Sequence, residues 1–186
     1  MPRRAGLTAQ KVVELGLSVV DDAGLDGLSL ARVAEAAGVA TPSLYKHVAG
    51  LPDLRERVAR VVLAELTDRV REAVIGVSGD DAVRALMHAY RSYLVEFPNR
   101  AALLVSPPAA TEPGEDLLAV VLAVLRGYRL EGSEAIHAAR VLRSSVHGFA
   151  SLEAAGGFGY REDLDESFRR LAVIVTTGLR TGAGLP

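Results

Sequence analysis

The residues of this chain best suited to proton or metal chemistry are its four histidines, 47, 88, 137 and 147. Their spacing does not bring ligands together on one helical face as a metal site requires. Ser145 and His147 sit two residues apart, so on a helix their side chains diverge by about 200° and cannot act as nucleophile and base. Gly156, Gly157 and Gly159 precede no Lys-Ser/Thr pair, so they do not form a phosphate-cradling P-loop. The chain has no cysteine, which excludes thiolate metal sites, a cysteine nucleophile and a disulfide scaffold. No catalysis, metal or cofactor is expected.

A different chemistry is available between Leu30 and Val48, in the stretch LARVAEAAGVATPSLYKHV. Small Ala34 allows close approach of a second helix. Gly38 can take the positive φ of a tight turn. Val39 and Leu44 point inward and lock two helices together. With Leu44 at the buried centre, 100° per residue puts Lys46 outward and Ser43 and Tyr45 on its flanks. These are the physical requirements of a helix-turn-helix, in which the second helix reads a DNA groove. Thr41 lies at that helix's N-terminus, where backbone N–H groups can meet a phosphate. Pro42 preorganises the helix and can touch a thymine methyl. The expected DNA-contacting set is Arg3, Arg4, Ser29, Thr41, Pro42, Ser43, Tyr45, Lys46 and His47. Arg3 and Arg4 would form an arm for phosphates or the minor groove.

The elements that must position these residues are helical throughout. Val12, Leu15, Val19 and Val20 recur at helix spacing from Thr8, a suitable cap, to Gly24, a suitable stop. Ser29 caps the next helix, and Thr41-Pro42 opens a third with a capping hydroxyl and a proline. After Gly50-Leu51-Pro52-Asp53 a long amphipathic helix carries Leu54, Val58, Val61, Val62, Leu66 and Val70 in one stripe. A break at 75–79 precedes a helix that begins near Asp80-Asp81 and ends at Pro98. A short helix to about Val105 follows. The segment 106–114 holds three prolines and reads as a loop. The stretch 115–128 is apolar nearly all round and reads as a buried helix. Ser133 caps an eighth helix to about Ala155. Asp163 and Glu166 have capping-box spacing ahead of a last helix to about Thr181. The fold class is therefore all-α, with about nine helices. A three-helix helix-turn-helix module at 1–50 is followed by a larger helical bundle at 51–186.

This order, together with TPSLYKHV in the third helix, resembles the TetR family of bacterial transcriptional regulators. The family's usual recognition block runs leucine, tyrosine, any residue, histidine, phenylalanine, and Val48 replaces that last aromatic here. Leu51 stands where the family often has a lysine. Further on, RSSVHGFASLEAAGGFG at 143–159 and ESF at 166–168 resemble the C-terminal block of one subgroup. The resemblance implies a ligand-responsive regulator, more often a repressor, with an effector cavity in the C-terminal bundle and a dimer interface built from the last helices.

Candidates for the effector cavity are Met87, Tyr90, Tyr93, Tyr128, Arg143 and His147, with His88 and Phe97 beside them. Tyrosine hydroxyls, Arg143 and His147 are the polar groups that can orient a mostly apolar ligand. Phe168, Leu171, Val175 and Leu179 share one face of the last helix, which can meet a partner subunit or cover the subunit's own core. The expected partners are a DNA operator, a small effector and a second copy of the chain.

Formal charge is −2, from 21 basic and 23 acidic residues, which excludes a broadly basic nucleic-acid coat but permits a local reading surface. The longest intense apolar run, Leu117 to Leu125, spans nine residues, against about 20 for a membrane crossing. Gln10, Lys11 and Glu14 interrupt any signal-like run behind Arg3 and Arg4. The expected location is the cytoplasm. Two rival readings are a helical carrier or enzyme with a relict reading head, and a dimeric adaptor that docks a protein on the Thr41–His47 surface.

Overall fold

A computed structural model of the chain describes residues 6–105 and 112–182. Arg3 and Arg4 lie outside the described residues. Those described form eight α-helices and three short 3₁₀ helices, with no strand. In order they are α1 (Ala9–Gly27), α2 (Leu30–Ala37), a 3₁₀ helix at Thr41–Lys46, α3 (Leu51–Ala73) and α4 (Gly79–Glu96). A 3₁₀ turn at Pro98–Arg100 leads into α5 (Ala101–Val105). Next come α6 (Glu112–Leu125), a 3₁₀ turn at Arg126–Tyr128, α7 (Gly132–Ala154) and α8 (Leu164–Gly182). Counting the Thr41–Lys46 helix with the α-helices gives nine principal elements.

The chain divides into two compact units, Met1–Val62 with Asn99–Pro108 and Leu63–Pro98 with Ala109–Pro186. The division falls inside α3 rather than at its start. The reason is local packing: a Cβ on Gly16 would lie 3.1 Å from both Leu54 Cδ1 and Val58 Cγ2. The first two turns of α3 thus belong to the core of the first unit. Val12, Val20, Leu28, Val33, Leu44, Leu54 and Val58 form that core, each at most 1% exposed.

The ends of these helices follow from side chains that accept backbone hydrogen bonds. Thr8 Oγ1 accepts from Lys11 N at 3.1 Å and starts α1. Gly24, at φ 72° and ψ 174°, interrupts α1 rather than ending it, and a further turn runs to Gly27. Asp163 Oδ1 accepts from Asp165 N at 2.8 Å and starts α8. Ser133, expected as a cap, lies within α7; the capping position is Glu131, without a side-chain bond. The helix α6 starts at Glu112, inside the segment expected to be a loop, with Pro113 in its first turn, where a missing N–H costs nothing. Nor is α6 buried all round. Val124 and Leu125 are buried at its C-terminal end, but Glu115, Asp116 and Leu118 are exposed.

The second unit is built on α4 against α7, with α6 and α8 packed on both. Val83, Leu86, Met87 and Leu94 from α4, with Leu142, Val146 and Ala150 from α7, are at most 2% exposed. The C-terminal sequence block acquires its physical meaning here. Arg91 Nε and Nη2 each donate to Glu153 at 2.6 Å, and Nη1 donates to Asp165 at 2.7 Å. The same guanidinium lies 4.8 Å from the ring centre of Phe168 and 5.5 Å from that of Phe149, a cation–π geometry. Phe149 in turn meets Phe158 at 4.8 Å. A Cβ on Gly157 would lie 3.1–3.2 Å from Leu152, so only glycine fits this turn without displacement. The block is a staple joining α4, α7 and α8. Among the described residues no helix is long and apolar enough to cross a membrane.

Candidate nucleic-acid interface

The reading surface is assembled from caps and turns. Ser29 Oγ accepts from Arg32 N at 3.3 Å and opens α2. That use of its hydroxyl gives Ser29 a structural duty beside any contact with DNA. At the other end of α2, Gly38 adopts φ 66° and ψ 33°. Gly38 N donates to Glu35 O and Val39 N to Ala34 O, both at 3.0 Å. This is a Schellman closure, which needs a left-handed residue. The chain therefore turns sharply three residues before the reading element begins at Thr41.

That element is a 3₁₀ helix, Thr41–Lys46, where an α-helix was expected. Ala40, not Thr41, holds the capping position, no side chain caps it, and Pro42 lies at its start. Ser43 N donates to Ala40 O and His47 N to Leu44 O, both at 2.8 Å. Three residues per turn place Leu44 inward at 0% exposure, with Val48 below it at 2%. Val48, in place of the family's usual aromatic, is a core residue. Val39, expected inward, is only half-buried.

Pro42, Tyr45 and Lys46 point outward together. Tyr45, expected on the flank of Lys46, is 60% exposed. Thr41, Ser43 and His47 are half-buried on the flanks. Lys46 and Arg55 are exposed and, among the described residues, neither forms an ion pair. Arg55 was not singled out from the sequence because it sits on the polar face of a long amphipathic helix, where one arginine looks like any other.

The junction to α3 is clamped by Asp53. Its Oδ2 accepts from Ala49 N and its Oδ1 from Arg57 Nε, both at 2.8 Å. The Arg57 hydrogen bond, with the Ala49 N–H behind it, holds the Asp53 carboxyl below the usual carboxylate range.

In the second unit the six cavity candidates separate into groups. Tyr90 and His147 come together, hydroxyl to Nδ1 at 3.0 Å, and Arg143 reaches the same hydroxyl. Tyr93 donates instead to Glu65 at 3.1 Å and Tyr128 to Asp80 at 2.7 Å. Burial and then Asp80 push the Tyr128 phenol up. Met87 is wholly buried. His88 lies exposed at the surface with its ring edge-on to Phe168. Phe97 packs on Tyr93 at 5.3 Å. An open groove of about 550 Å³ lies between α4 and α8, lined by Arg84, His88, Arg169 and Val173 among others. None of the six candidates lines it.

The α8 face expected either to meet a partner or to cover the subunit's own core turns inward. Phe168, Val175 and Leu179 are at most 7% exposed, and Leu171 is half-buried. On α7 and α8, the large apolar side chains left in solvent among the described residues are Val141 and Leu152, and Val173 and Ile174, each more than half exposed. Among the described residues no group of three or more His, Cys, Asp or Glu side chains could hold a metal ion.

A capped helix, a left-handed glycine turn and a short helix with a buried leucine and an exposed lysine define a helix-turn-helix protein. The comparison with known proteins gives the family. Residues 83–175 match the model of the tetracyclin repressor-like C-terminal domain. The chain is 38% identical over 172 residues to YobS of Bacillus subtilis, an uncharacterized HTH-type transcriptional regulator, covering 90% of each. It is 30% identical over 150 residues to the HTH-type transcriptional repressor DrrR1 of Streptomyces coeruleorubidus, covering 77% of this chain and 53% of that one. In fold it is similar to ActR of Streptomyces coelicolor in complex with actinorhodin, with a TM-score of 0.78 at 20% identity, covering 97% and 100%. The chain belongs to the TetR family and is an HTH-type transcriptional regulator rather than an enzyme.

Proposed function

We propose that this regulator is a homodimeric repressor that a small, largely apolar effector releases from a near-palindromic operator in the bacterial cytoplasm. The observation that carries the DNA-reading part is the outward row Pro42, Tyr45 and Lys46 over fully buried Leu44. A short rigid element, anchored from below and closed by Gly38 and Asp53, presents one cation and two contact surfaces to a groove. Thr41, Ser43 and His47 flank it, and Arg3, Arg4 and Ser29 complete the expected set.

Dimerisation is supported by the exposed apolar residues of α7 and α8, Val141, Leu152, Val173 and Ile174, and by half-buried Leu171 on α8. Covering these side chains removes apolar surface from water. Two-fold symmetry then spaces the reading helices by about one turn of DNA, roughly 34–36 Å, or a modest extension of it.

The effector is placed in the second unit, near Met87, Tyr90, Tyr93, Tyr128, Arg143 and His147. The naming of DrrR1 as a repressor and the binding of actinorhodin by ActR support this reading. Binding must favour a conformation that cannot seat both reading helices at once, since a ligand with equal affinity for both states moves nothing. Coupling of about 1–3 kcal/mol is typical.

The test is binding of the purified protein to DNA upstream of its own gene, across a salt series. A palindromic footprint with a steep negative log–log salt dependence is expected. Weak, sequence-independent binding at every salt concentration, there and at operators selected from random DNA, would overturn the reading.

A further inference from the structure

The positive charge of the first unit is concentrated in one stretch of chain. Residues 9–37, which span α1 and α2, contain two basic and five acidic side chains. Residues 38–62, which span the reading element and the first turns of α3, contain four basic and two acidic ones. Ion pairing decides which of those four cations stay uncompensated. Arg57 Nε lies 2.8 Å from Asp53 Oδ1, and Arg60 is paired with Glu56. The surplus is therefore carried by Lys46 and Arg55, both exposed.

Arg55 is the exception among the five arginines of α3. Arg57, Arg60, Arg69 and Arg71 each meet a carboxylate, those of Asp53, Glu56, Glu96 and Asp68. The cause is register. On a helix a side chain meets those three and four positions away. For Arg55 these are Leu51, Pro52, Val58 and Ala59, and none bears a charge. Leu54 and Val58 are wholly buried and define the inner face of α3. At 100° per residue, Leu51 and Arg55 fall on one flank of that face, and Asp53 and Arg57 on the other. The Asp53 carboxylate is moreover occupied by Ala49 N and Arg57. Arg55 stands about one helical turn beyond the first residue of α3, and only residues 47–50 separate α3 from the reading element.

An exposed guanidinium with no carboxylate partner among the described residues is matched by a phosphate, which it can engage through two N–H groups at once. We infer that Arg55 anchors the DNA backbone beside the groove read by Pro42, Tyr45 and Lys46, and that it supplies affinity without sequence preference. This inference rests on the operator-binding reading above and adds a contact to it.

The test measures binding of the full chain to an operator selected from random DNA and to a duplex of unrelated sequence, each across a salt series. Arg55→Ala weakens both several-fold and by the same factor. The log–log salt slope falls in magnitude by about one for each bound subunit. Arg55→Lys, which keeps the charge, restores the slope. The Tm without DNA is unchanged in both variants, because no ion pair is lost. Arg126→Ala removes an exposed arginine from the second unit and leaves the slope as it is. An Arg55→Ala slope equal to wild type, or an equal fall in Arg126→Ala, would overturn the phosphate contact and leave operator binding standing. A loss confined to the operator would overturn the sequence-independent role. No DNA binding by the wild-type chain would overturn the operator reading and this contact with it.

Discussion

Arg100 grips Asp21 across 79 residues of sequence, with Nε 2.7 Å from Oδ1 and Nη2 2.8 Å from Oδ2. Next to it, Asn99 Nδ2 donates to the Asp21 carbonyl at 2.8 Å. The pair fastens the Pro98–Arg100 turn to α1 within the first unit, and Arg100 is 5% exposed. Asp21→Ala leaves that guanidinium buried without its two-pronged partner. The expected loss is about 1–3 kcal/mol, below the range for a wholly buried pair because a third of the Asp21 side chain meets water. Urea denaturation measures it, and an unchanged midpoint would show that the contact contributes nothing net.

Leu44 is the inward anchor of the reading element. Leu44→Asp buries an unpaired carboxylate there and unfolds the helix-turn-helix. DNA binding is lost while α4, α7 and α8, whose core does not include Leu44, keep their helicity. Amide exchange resolved by segment distinguishes the two units. A variant that still binds DNA with wild-type protection in α2 contradicts the inward assignment.

Lys46 is exposed and unpaired among the described residues. Lys46→Ala should weaken operator binding and, where the contact is to phosphate, reduce the magnitude of the log–log salt slope by about one. If affinity and slope both match wild type, Lys46 is outside the interface.

Asp53 makes stability depend on acid. Its carboxyl is held below the ordinary value by Arg57 and the Ala49 N–H. A depressed native pKa means the unfolded chain binds the proton more readily. The stabilisation is therefore full above the unfolded pKa of about 3.9 and is lost as pH falls through the lower native value. Asp53→Asn removes this dependence. Below about pH 4, the stability gap between wild type and variant should narrow. A gap that stays constant from pH 7 to pH 2.5 excludes the clamp as the cause.

Helix order and the reading motif were legible in the sequence because they rest on local rules. Ser29, Gly38 and Leu44 do their work through neighbours within about five residues, and apolar spacing marks the inner faces of α3 and α4. The recognition element departs from its expected α-helix for an equally local reason: Thr41 and Pro42 resemble an α-helical start, and only closure of the turn on Leu44 shows 3₁₀ geometry.

Other features arise from contacts between distant segments, which periodicity does not record. Nothing in the sequence pairs Arg100 with Asp21, or Arg91 with Glu153 and Asp165. Which side of α8 is core depended on where α4 and α7 lie. Phe168, Val175 and Leu179 went inward and Val173 and Ile174 stayed in water, although all five are apolar on one amphipathic helix. Of the cavity candidates, only Tyr90, Arg143 and His147 met, while Tyr93 and Tyr128 were drawn to Glu65 and Asp80. The sequence by itself determined an all-helical chain with a DNA-reading motif near its N-terminus, because hydrophobic periodicity, caps and a glycine turn are properties of short segments. The tertiary structure alone decided which polar groups face one another and which apolar faces remain uncovered, because those depend on helices brought together from far apart in the chain.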